Sequence, residues 1–303
     1  MVDVHVVLIN WNSAQDTMEC LESLMAQEGA SLECIVVDNC SRGDSVEQIR
    51  SRYPQVHIIE NDRNLGFPAG NNAGIRYALE QNAKTVFILN NDTIAEPGMV
   101  RLLLDHLTPA VGAVTPAIFY ASQPDEIWSI GGMMNPLLLE MINPPGSRVS
   151  LPAGPVERDF ITGCAMLIHA DVLRKVGMFD ESYFPIYYED LDLCLRIRRG
   201  GYRMRLVPQA RLLHKVSRAS GGQYSPRVYY LMGRNSGYYF RKHMRFWQAP
   251  VIVAYRLGSA LKTSVKLFKS KRFESLSAYW AGLVRGWTNL LKSAGEKYLV
   301  HYQ

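Results

Sequence analysis

The sequence predicts an α/β protein: a doubly wound, mainly parallel sheet followed by a C-terminal helical segment. Three observations carry that expectation. Over the first 120 residues, short β-branched apolar runs alternate with helix-patterned stretches, the order produced by parallel strands joined through right-handed crossovers. Each of those runs ends in a polar cluster, mostly Asn and Asp. Beyond Ser225 the pattern turns helical, and the charge balance changes sign.

The elements follow in order. Residues 4–9, 34–37, 56–59 and 85–89 have the length and composition of strands buried on both faces. Between the first two, Ser13 with Asp16 three positions on reads as a capping box, and Met18, Leu21 and Leu24 form an apolar helical stripe. Further helices are expected over 70–81 and 97–107. From 121 to 158 the chain is rich in Pro and Gly and shows no clear period. A strand over 159–169, a helix over 190–199 and strands over 202–207 and 211–214 come next. The division that results is a domain of residues 1–225, with halves near 1–120 and 121–225, and a helical segment of residues 226–303.

Composition narrows the class. With 303 residues, 48% of them hydrophobic and 20% charged, the chain can bury a sizeable core and has none of the marks of disorder. The net charge of +5 hides an asymmetry: residues 227–303 hold 14 Lys and Arg but only two acids, Glu274 and Glu296, while acids outnumber bases in the rest. A basic, aromatic tail suits an anionic partner such as a membrane surface. Five cysteines (Cys20, Cys34, Cys40, Cys164 and Cys194) show no C-x-x-C pair, which argues against zinc and a disulfide framework and for a reducing cytoplasm. The first residues lack a basic and then apolar leader pattern, and no apolar run reaches about 18 residues, so neither a secretory signal nor a spanning helix is expected.

Ligands of doubly wound sheets bind beyond the carboxyl ends of the strands. Those ends read Asn10-Trp11-Asn12, Asp38-Asn39, Asn61-Asp62 and Asn90-Asn91-Asp92. One such cluster is ordinary turn chemistry. Four at the same edge mark a binding site.

Four segments carry a resemblance. Val6-Val7-Leu8-Ile9-Asn10-Trp11-Asn12, Val36-Val37-Asp38-Asn39-Cys40-Ser41, Asn64-Leu65-Gly66-Phe67-Pro68-Ala69-Gly70-Asn71-Asn72 and Tyr188-Glu189-Asp190-Leu191-Asp192-Leu193 follow one another as in family 2 inverting glycosyltransferases of the GT-A fold. The rhamnosyltransferase-like bacterial group is the most similar, over residues 4–220. The resemblance implies a donor half at 1–120 and an acceptor half at 121–225. It assigns Asp38 to the base or ribose of a donor nucleotide, where an acceptor-only carboxylate suits an imide N–H or a hydroxyl. Residues 64–72 become a donor-binding loop feeding a helix, with Gly66 and Gly70 allowing close approach to a diphosphate and free N–H groups at the helix start. Asn10, Asn12, Asn64, Asn71 and Asn91 join that donor set.

Asn90-Asn91-Asp92 stands at the family's D-x-D position. Its first acidic place is Asn90, which leaves Asp92 as the carboxylate for Mn²⁺ or Mg²⁺, hard ions that use one or two carboxylates together with substrate phosphates. His214 resembles the C-terminal histidine that completes such a site. Asp190, in the first turn of a helix, matches the general base, with Glu189 in support and Asp192 as the competing carboxylate. Gly163, Cys164 and Asp192 fall on the acceptor side. Each residue also has a plain structural reading as a turn, a cap or a packed small side chain, and Trp128 and Tyr187 could stack on a sugar or belong to the core.

The implied activity is transfer of a sugar from a nucleotide diphosphate to a saccharide, lipid-linked, in cell-surface polysaccharide synthesis at the inner face of the cytoplasmic membrane. dTDP-L-rhamnose is the favoured donor, and a UDP-hexose or UDP-HexNAc the alternative. A sugar-nucleotide pyrophosphorylase would need a Gly- and Lys-rich loop near the start, and residues 1–30 hold no lysine. A non-enzymatic scaffold with a basic tail is the remaining alternative. Nucleic acid is not an expected partner, since no motif for it appears.

Overall fold

Val4, Val6, Val7 and Leu8 expose no surface, and they make β1 (Val4–Asn10) the strand around which the rest of the sheet is laid. The structure is a computed structural model that describes residues 2–216 and 225–288. After β1 come α1 (Ala14–Met25), β2 (Leu32–Asp38), α2 (Ser45–Arg52), β3 (His57–Glu60), α3 (Gly66–Glu80) and β4 (Thr85–Asn90). The alternation expected from sequence is therefore present. β1 pairs in parallel with β2 on one side and β4 on the other, and β2 pairs in parallel with β3. These strands are apolar on both faces because helices cover both.

The chain continues through β5 (Thr93–Ala95), α4 (Met99–His106), β6 (Val111–Tyr120), β7 (Gln123–Ser129), β8 (Met133–Asn135), β9 (Glu140–Ile142), β10 (Val156–Arg158), β11 (Ala165–His169), α5 (Ala170–Val176), α6 (Glu189–Arg199) and β12 (Arg203–His214). Among the described residues the large sheet has ten strands. Eight follow the order β10-β12-β6-β11-β4-β1-β2-β3, with β5 on β12 and β7 on β6. β11 enters antiparallel between β4 and β6, and β12 runs parallel to β6. The mostly parallel α/β class holds, with the antiparallel insertions in the second half.

Four local expectations are corrected. Ser13 is the N-cap of α1 but makes no capping bond. Its hydroxyl instead accepts from Asn91 Nδ2, and Asp16 pairs with Lys215, so long-range partners take the atoms a capping box would have used. α3 starts at Gly66 rather than at residue 70, because Asn64 Oδ1 accepts from Gly66 N at 2.8 Å and Gly66 takes φ +72° to enter the helix. The strand expected over 159–169 is confined to β11. The strands expected over 202–207 and 211–214 are one, β12, with a bulge between Val207 and Arg211 where Pro208 lacks the N–H a regular ladder needs.

Contacts divide the chain into two compact units, Met1–Met133 with Ile142–Phe184 and Glu189–Ser217, and Met134–Met141 with Pro185–Tyr188 and Arg218–Gln303. Met134–Met141 and Pro185–Tyr188, earlier in the chain than the C-terminal helices, group with them by contact. Those helices are α7 (Pro226–His243), α8 (Ala249–Lys269) and α9 (Phe273–Thr288). Ser225 Oγ caps α7 by accepting from Val228 N. α7 and α9 meet backbone to backbone, since a Cβ at Gly282 would overlap the Tyr230 carbonyl and one at Gly286 the Arg234 carbonyl. Among the described residues no helix is long and apolar enough to cross a membrane. The last part of the expected helical segment, residues 289–303, lies outside the described residues.

Gly74 sets how closely α3 lies on the sheet, because an added Cβ would overlap Val7 and sit 3.1 Å from Val37 Cγ2. Gly74→Ala should therefore lower unfolding free energy by about 1–3 kcal/mol in urea titration. Gly154→Ala, whose added Cβ meets nothing within 4 Å, should leave the midpoint unchanged.

Candidate active site

The parallel register places Asn10 directly opposite Asp38. Asn10 is fully buried, and its Nδ2 donates to Asp38 Oδ1 at 2.6 Å, to Ser45 Oγ at 2.9 Å and to Ser41 Oγ at 3.1 Å. Its Oδ1 accepts from Thr17 Oγ1 at 2.9 Å. The second Asp38 oxygen accepts from Ser41 N at 2.8 Å. Asn12, at φ +56°, closes the turn above them: its Oδ1 accepts from Arg42 N, and its own N–H donates to Ser41 Oγ. Buried polar groups persist only when they are paired, and this cluster pairs a carboxylate at the sheet edge.

The second strand end is knitted to α3. Asn39 Nδ2 donates to the Gly66 carbonyl at 3.0 Å, and Asn61 Nδ2 to Asn39 Oδ1 at 2.8 Å. The proposed donor loop 64–72 proves to be a turn at Asn64 followed by helix. A Cβ at Gly70 would stand 2.9 Å from Asn39 Nδ2, so Gly70 is a packing glycine. Asn71, expected among the donor ligands, is buried inside α3 with its Nδ2 donating to the Phe67 carbonyl. Asn72 exchanges hydrogen bonds with the Phe179 backbone. Only Asn64, Gly66 and the first N–H groups of α3 keep the character of a ligand-facing turn.

Asp92 and His214 are 122 positions apart in sequence and are brought together by main chain. β5 pairs antiparallel with the end of β12, Thr93 opposite His214, and Lys215 N donates to the Asp92 carbonyl at 2.9 Å. The His214 Nε2 then lies 3.2 Å from Asp92 Oδ1, with both residues more than nine-tenths buried. Burial works against a charged imidazole, but the Cys164 sulfur and the Asp92 carboxylate beside it lift the His214 pKa to about 10. Trp128 meets the ring edge-on, centroids 4.4 Å apart, so its place is against this pair. Asn91 turns the other way, its Nδ2 donating to Ser13 Oγ and Thr17 Oγ1 at 2.8 Å each. Lys215 reaches back to Asp16 and Glu19 of α1 at 2.7 and 2.5 Å.

The third group forms around the start of α6. Asp190 Oδ2 accepts from Gly163 N at 3.2 Å and Oδ1 from Leu191 N at 2.8 Å. Burial pushes its carboxyl above the ordinary aspartate range, and those N–H donors pull part of the way back. Gly163 fits because a Cβ there would crowd Phe67 at 3.2 Å. The next residue, Cys164, lies against His214, and its carbonyl accepts from Asn90 N. Two consecutive residues therefore touch the base candidate and the cation pair. Asp192 is removed from the site: it is fully buried, accepts from Arg196 Nε at 2.7 Å and Tyr183 hydroxyl at 3.3 Å, and its partner Arg196 also holds three backbone carbonyls. Glu189 is buried at the first position of α6.

Sequence reasoning missed Thr17, Ser41, Ser45 and Lys215. The first three are hydroxyls that look like ordinary helix and turn residues. Lys215 is one more basic residue until the fold sets it against α1.

A model of glycosyl transferase family 2 matches residues 5–177. An N-acetylglucosaminyl-diphospho-decaprenol L-rhamnosyltransferase of Mycobacterium tuberculosis is 26% identical over 90% of this chain and 95% of its own. A low-salt glycan biosynthesis hexosyltransferase of Haloferax volcanii is 29% identical over 65% of this chain, which spans 62% of that relative's length. Among solved structures, the mannosyltransferase PcManGT from Pyrobaculum calidifontis, in complex with GDP-Man and Mn²⁺, superposes with a TM-score of 0.59 at 15% identity, covering 95% of this chain and 88% of that one. At that identity the likeness speaks to the fold, which is the GT-A fold.

The raised Asp190 pKa has a consequence for stability. A carboxyl that binds its proton more tightly when folded contributes stability below its unfolded pKa of about 3.9, and that contribution is lost as pH rises through the folded value. At neutral pH the ionised group is a cost that an amide would not carry. Asp190→Asn should therefore melt higher than the parent at pH 7, by differential scanning calorimetry, with the gap narrowing toward pH 4. A lower melting temperature at pH 7 would mean that its N–H partners, not burial, govern this carboxylate.

Proposed function

The chain belongs to glycosyltransferase family 2, and we propose that it is an inverting enzyme that moves a sugar, L-rhamnose from dTDP first among candidates, onto a lipid-linked saccharide. That it is a glycosyltransferase follows from the family and its relatives. The observation that carries the finer reading is the Gly163-Cys164 step, which puts the Asp190 carboxylate and the Asp92–His214 pair on neighbouring residues of one segment. The rhamnosyl donor and the lipid-linked acceptor are supported by the mycobacterial relative, an N-acetylglucosaminyl-diphospho-decaprenol L-rhamnosyltransferase. UDP-hexose and UDP-HexNAc donors are the competing choice.

The residues present fit a divalent cation. A carboxylate oxygen and an imidazole nitrogen 3.2 Å apart match adjacent corners of an octahedron, about 3 Å apart for bonds near 2.1 Å. Asp92 and His214 would hold Mn²⁺ or Mg²⁺. Among the described residues no group of three metal-binding side chains occurs, so nucleotide phosphates and water would complete the shell. When bound, the cation supplies charge neutralisation for the departing diphosphate. Asp38 would accept a hydrogen bond from the base or ribose. Asp190 takes the acceptor hydroxyl proton as that oxygen attacks the anomeric carbon opposite the leaving group, so the configuration inverts. A carboxyl lifted above its ordinary range is better matched to this task near neutral pH than an exposed aspartate.

Purified protein offered dTDP-L-rhamnose, UDP-hexoses and UDP-HexNAc with a polyprenyl-diphosphate-linked acceptor should turn over the rhamnose donor. Activity should vanish in EDTA and return with Mn²⁺ or Mg²⁺. Asp92→Ala should be inactive at any metal level, and Asp190→Asn should lose about 10²–10⁴-fold in kcat with donor KM retained. Full turnover in EDTA removes the cation from the mechanism, and exclusive use of a UDP donor replaces rhamnose.

The second unit supports the lipid-linked part of this reading. On α8, Leu257, Leu261, Val265 and Phe268 recur every three to four residues and are 52–63% exposed. Lys262, Lys266, Lys269, Lys271 and Arg272 flank them, exposed, with Glu274 the nearest acid. Phe246 is 91% exposed and Trp247 half exposed. Among the aromatics of this segment, Tyr279 is buried and Trp287 packs with it, so these two serve the helical core. An apolar stripe beside lysines suits an anionic lipid interface. The protein should float with phosphatidylglycerol liposomes at low salt, and Leu261→Glu/Phe268→Glu should stay at the bottom. Equal flotation of the two would exclude this face as the contact.

A further inference from the structure

The residues leading into the candidate base hold an unusual backbone. Tyr187 at φ +83° and Tyr188 at φ +76° are consecutive non-glycine residues in the left-handed region. Side chains resist that conformation, and it persists only where the surroundings over-determine it. Here the surroundings are α7 and α8. Asn235 of α7 is buried, and its Nδ2 donates to the Ile186 carbonyl at 3.0 Å and the Tyr187 carbonyl at 2.9 Å, while Asn235 Oδ1 accepts from Arg234 Nε at 2.8 Å. The Tyr188 hydroxyl sits in a niche with Arg256 and Ser236, where burial pushes its pKa up. Arg256 is itself fixed, donating to Glu140 Oε1 at 2.8 Å and Ser236 Oγ at 3.0 Å. All of these contacts lie within the second unit. The peptide bond after Tyr188 then delivers Glu189 and Asp190, the first two residues of α6.

We propose that Asn235 is a positioning residue for the transfer reaction: by holding the Ile186 and Tyr187 carbonyls it locks the paired left-handed residues that set where α6, and with it Asp190, begins. The proposal rests on Asp190 as the general base. The two N–H groups of one buried amide each hold a carbonyl of successive residues, which fixes the backbone between them. Removing it leaves two carbonyls without their partner, and the strained pair relaxes toward ordinary φ. The base would then be displaced relative to the acceptor oxygen, and misplacement of about 1 Å is enough to cost near 10²-fold in rate. The donor-binding edge at Asn10 and Asp38 involves none of these residues, so donor affinity is untouched.

The test is a double-mutant cycle read by steady-state kinetics. Asn235→Ala should lower kcat by about 10–10²-fold with donor KM unchanged, and adding it to Asp190→Asn should cause no further loss. Tyr187→Gly, which makes the left-handed backbone easy without the clamp, should restore part of the Asn235→Ala rate. If Asn235→Ala does not fold, the isosteric Asn235→Asp, which keeps the shape and removes the donor, carries the same cycle. An unchanged kcat, or an equal loss in the Asp190→Asn background, overturns the positioning role. A wild-type rate for Asp190→Asn alone would instead fail the general-base assignment, a separate outcome.

Discussion

A carboxylate closed off from water must be given hydrogen-bond donors or lose its charge, and Asp38 receives them from Asn10 and the Ser41 amide. That one pairing organises the donor edge. Because β1 and β2 are parallel and in register, their last residues arrive at the same edge. Asn10 can then bind the neighbouring strand, α1 through Thr17 and the start of α2 through Ser45 with a single side chain. Thr17 carries the network on to Asn91, next to Asp92. The polar edge is therefore one connected system that runs as far as the residue beside Asp92.

Local chemistry decided what could be read in advance. The buried strands and their polar ends are properties of short windows, so the sheet and the edge that carries the site were legible. The Ser13 and Asp16 capping box failed because partners 78 and 199 positions away compete better for those side chains. Gly66 and Gly70 read as one flexible loop, yet one supplies a left-handed turn and the other a close approach to Asn39. No window of sequence distinguishes those two uses of glycine. Pairing His214 with Asp92 needed the resemblance, since β12 delivers the histidine from the far half of the chain. Asp192 and Asp190 are likewise equivalent acids in sequence. Only packing shows that one is locked to Arg196 while the other meets Gly163.

The two candidate catalytic groups solve opposite electrostatic problems within one segment. Asp92 is buried beside His214, whose pKa is lifted to about 10, so its negative charge faces a positive partner. Asp190 is held by backbone N–H donors and the Thr162 side chain, and burial outweighs them, which leaves its carboxyl above the usual range and able to accept a proton. Cys164 lies between them, a thiol whose own ionisation burial pushes up.

Strain at the entry to α6 gives the C-terminal helices a role beyond any surface they present. Left-handed tyrosines are costly, and α7 and α8 spend a buried amide, a buried arginine and a serine on keeping them so. The close α7–α9 packing, with glycines at the contact, makes α7 a stiff platform for that amide. A base carried by a relaxed loop would sample many positions, and rate falls with the fraction that is misaligned. On the proposal that Asn235 positions the base, helices that appear in sequence only as a basic, aromatic tail take part in the reaction, and a lipid surface touching α8 would act on the same helix that holds Tyr188 through Arg256.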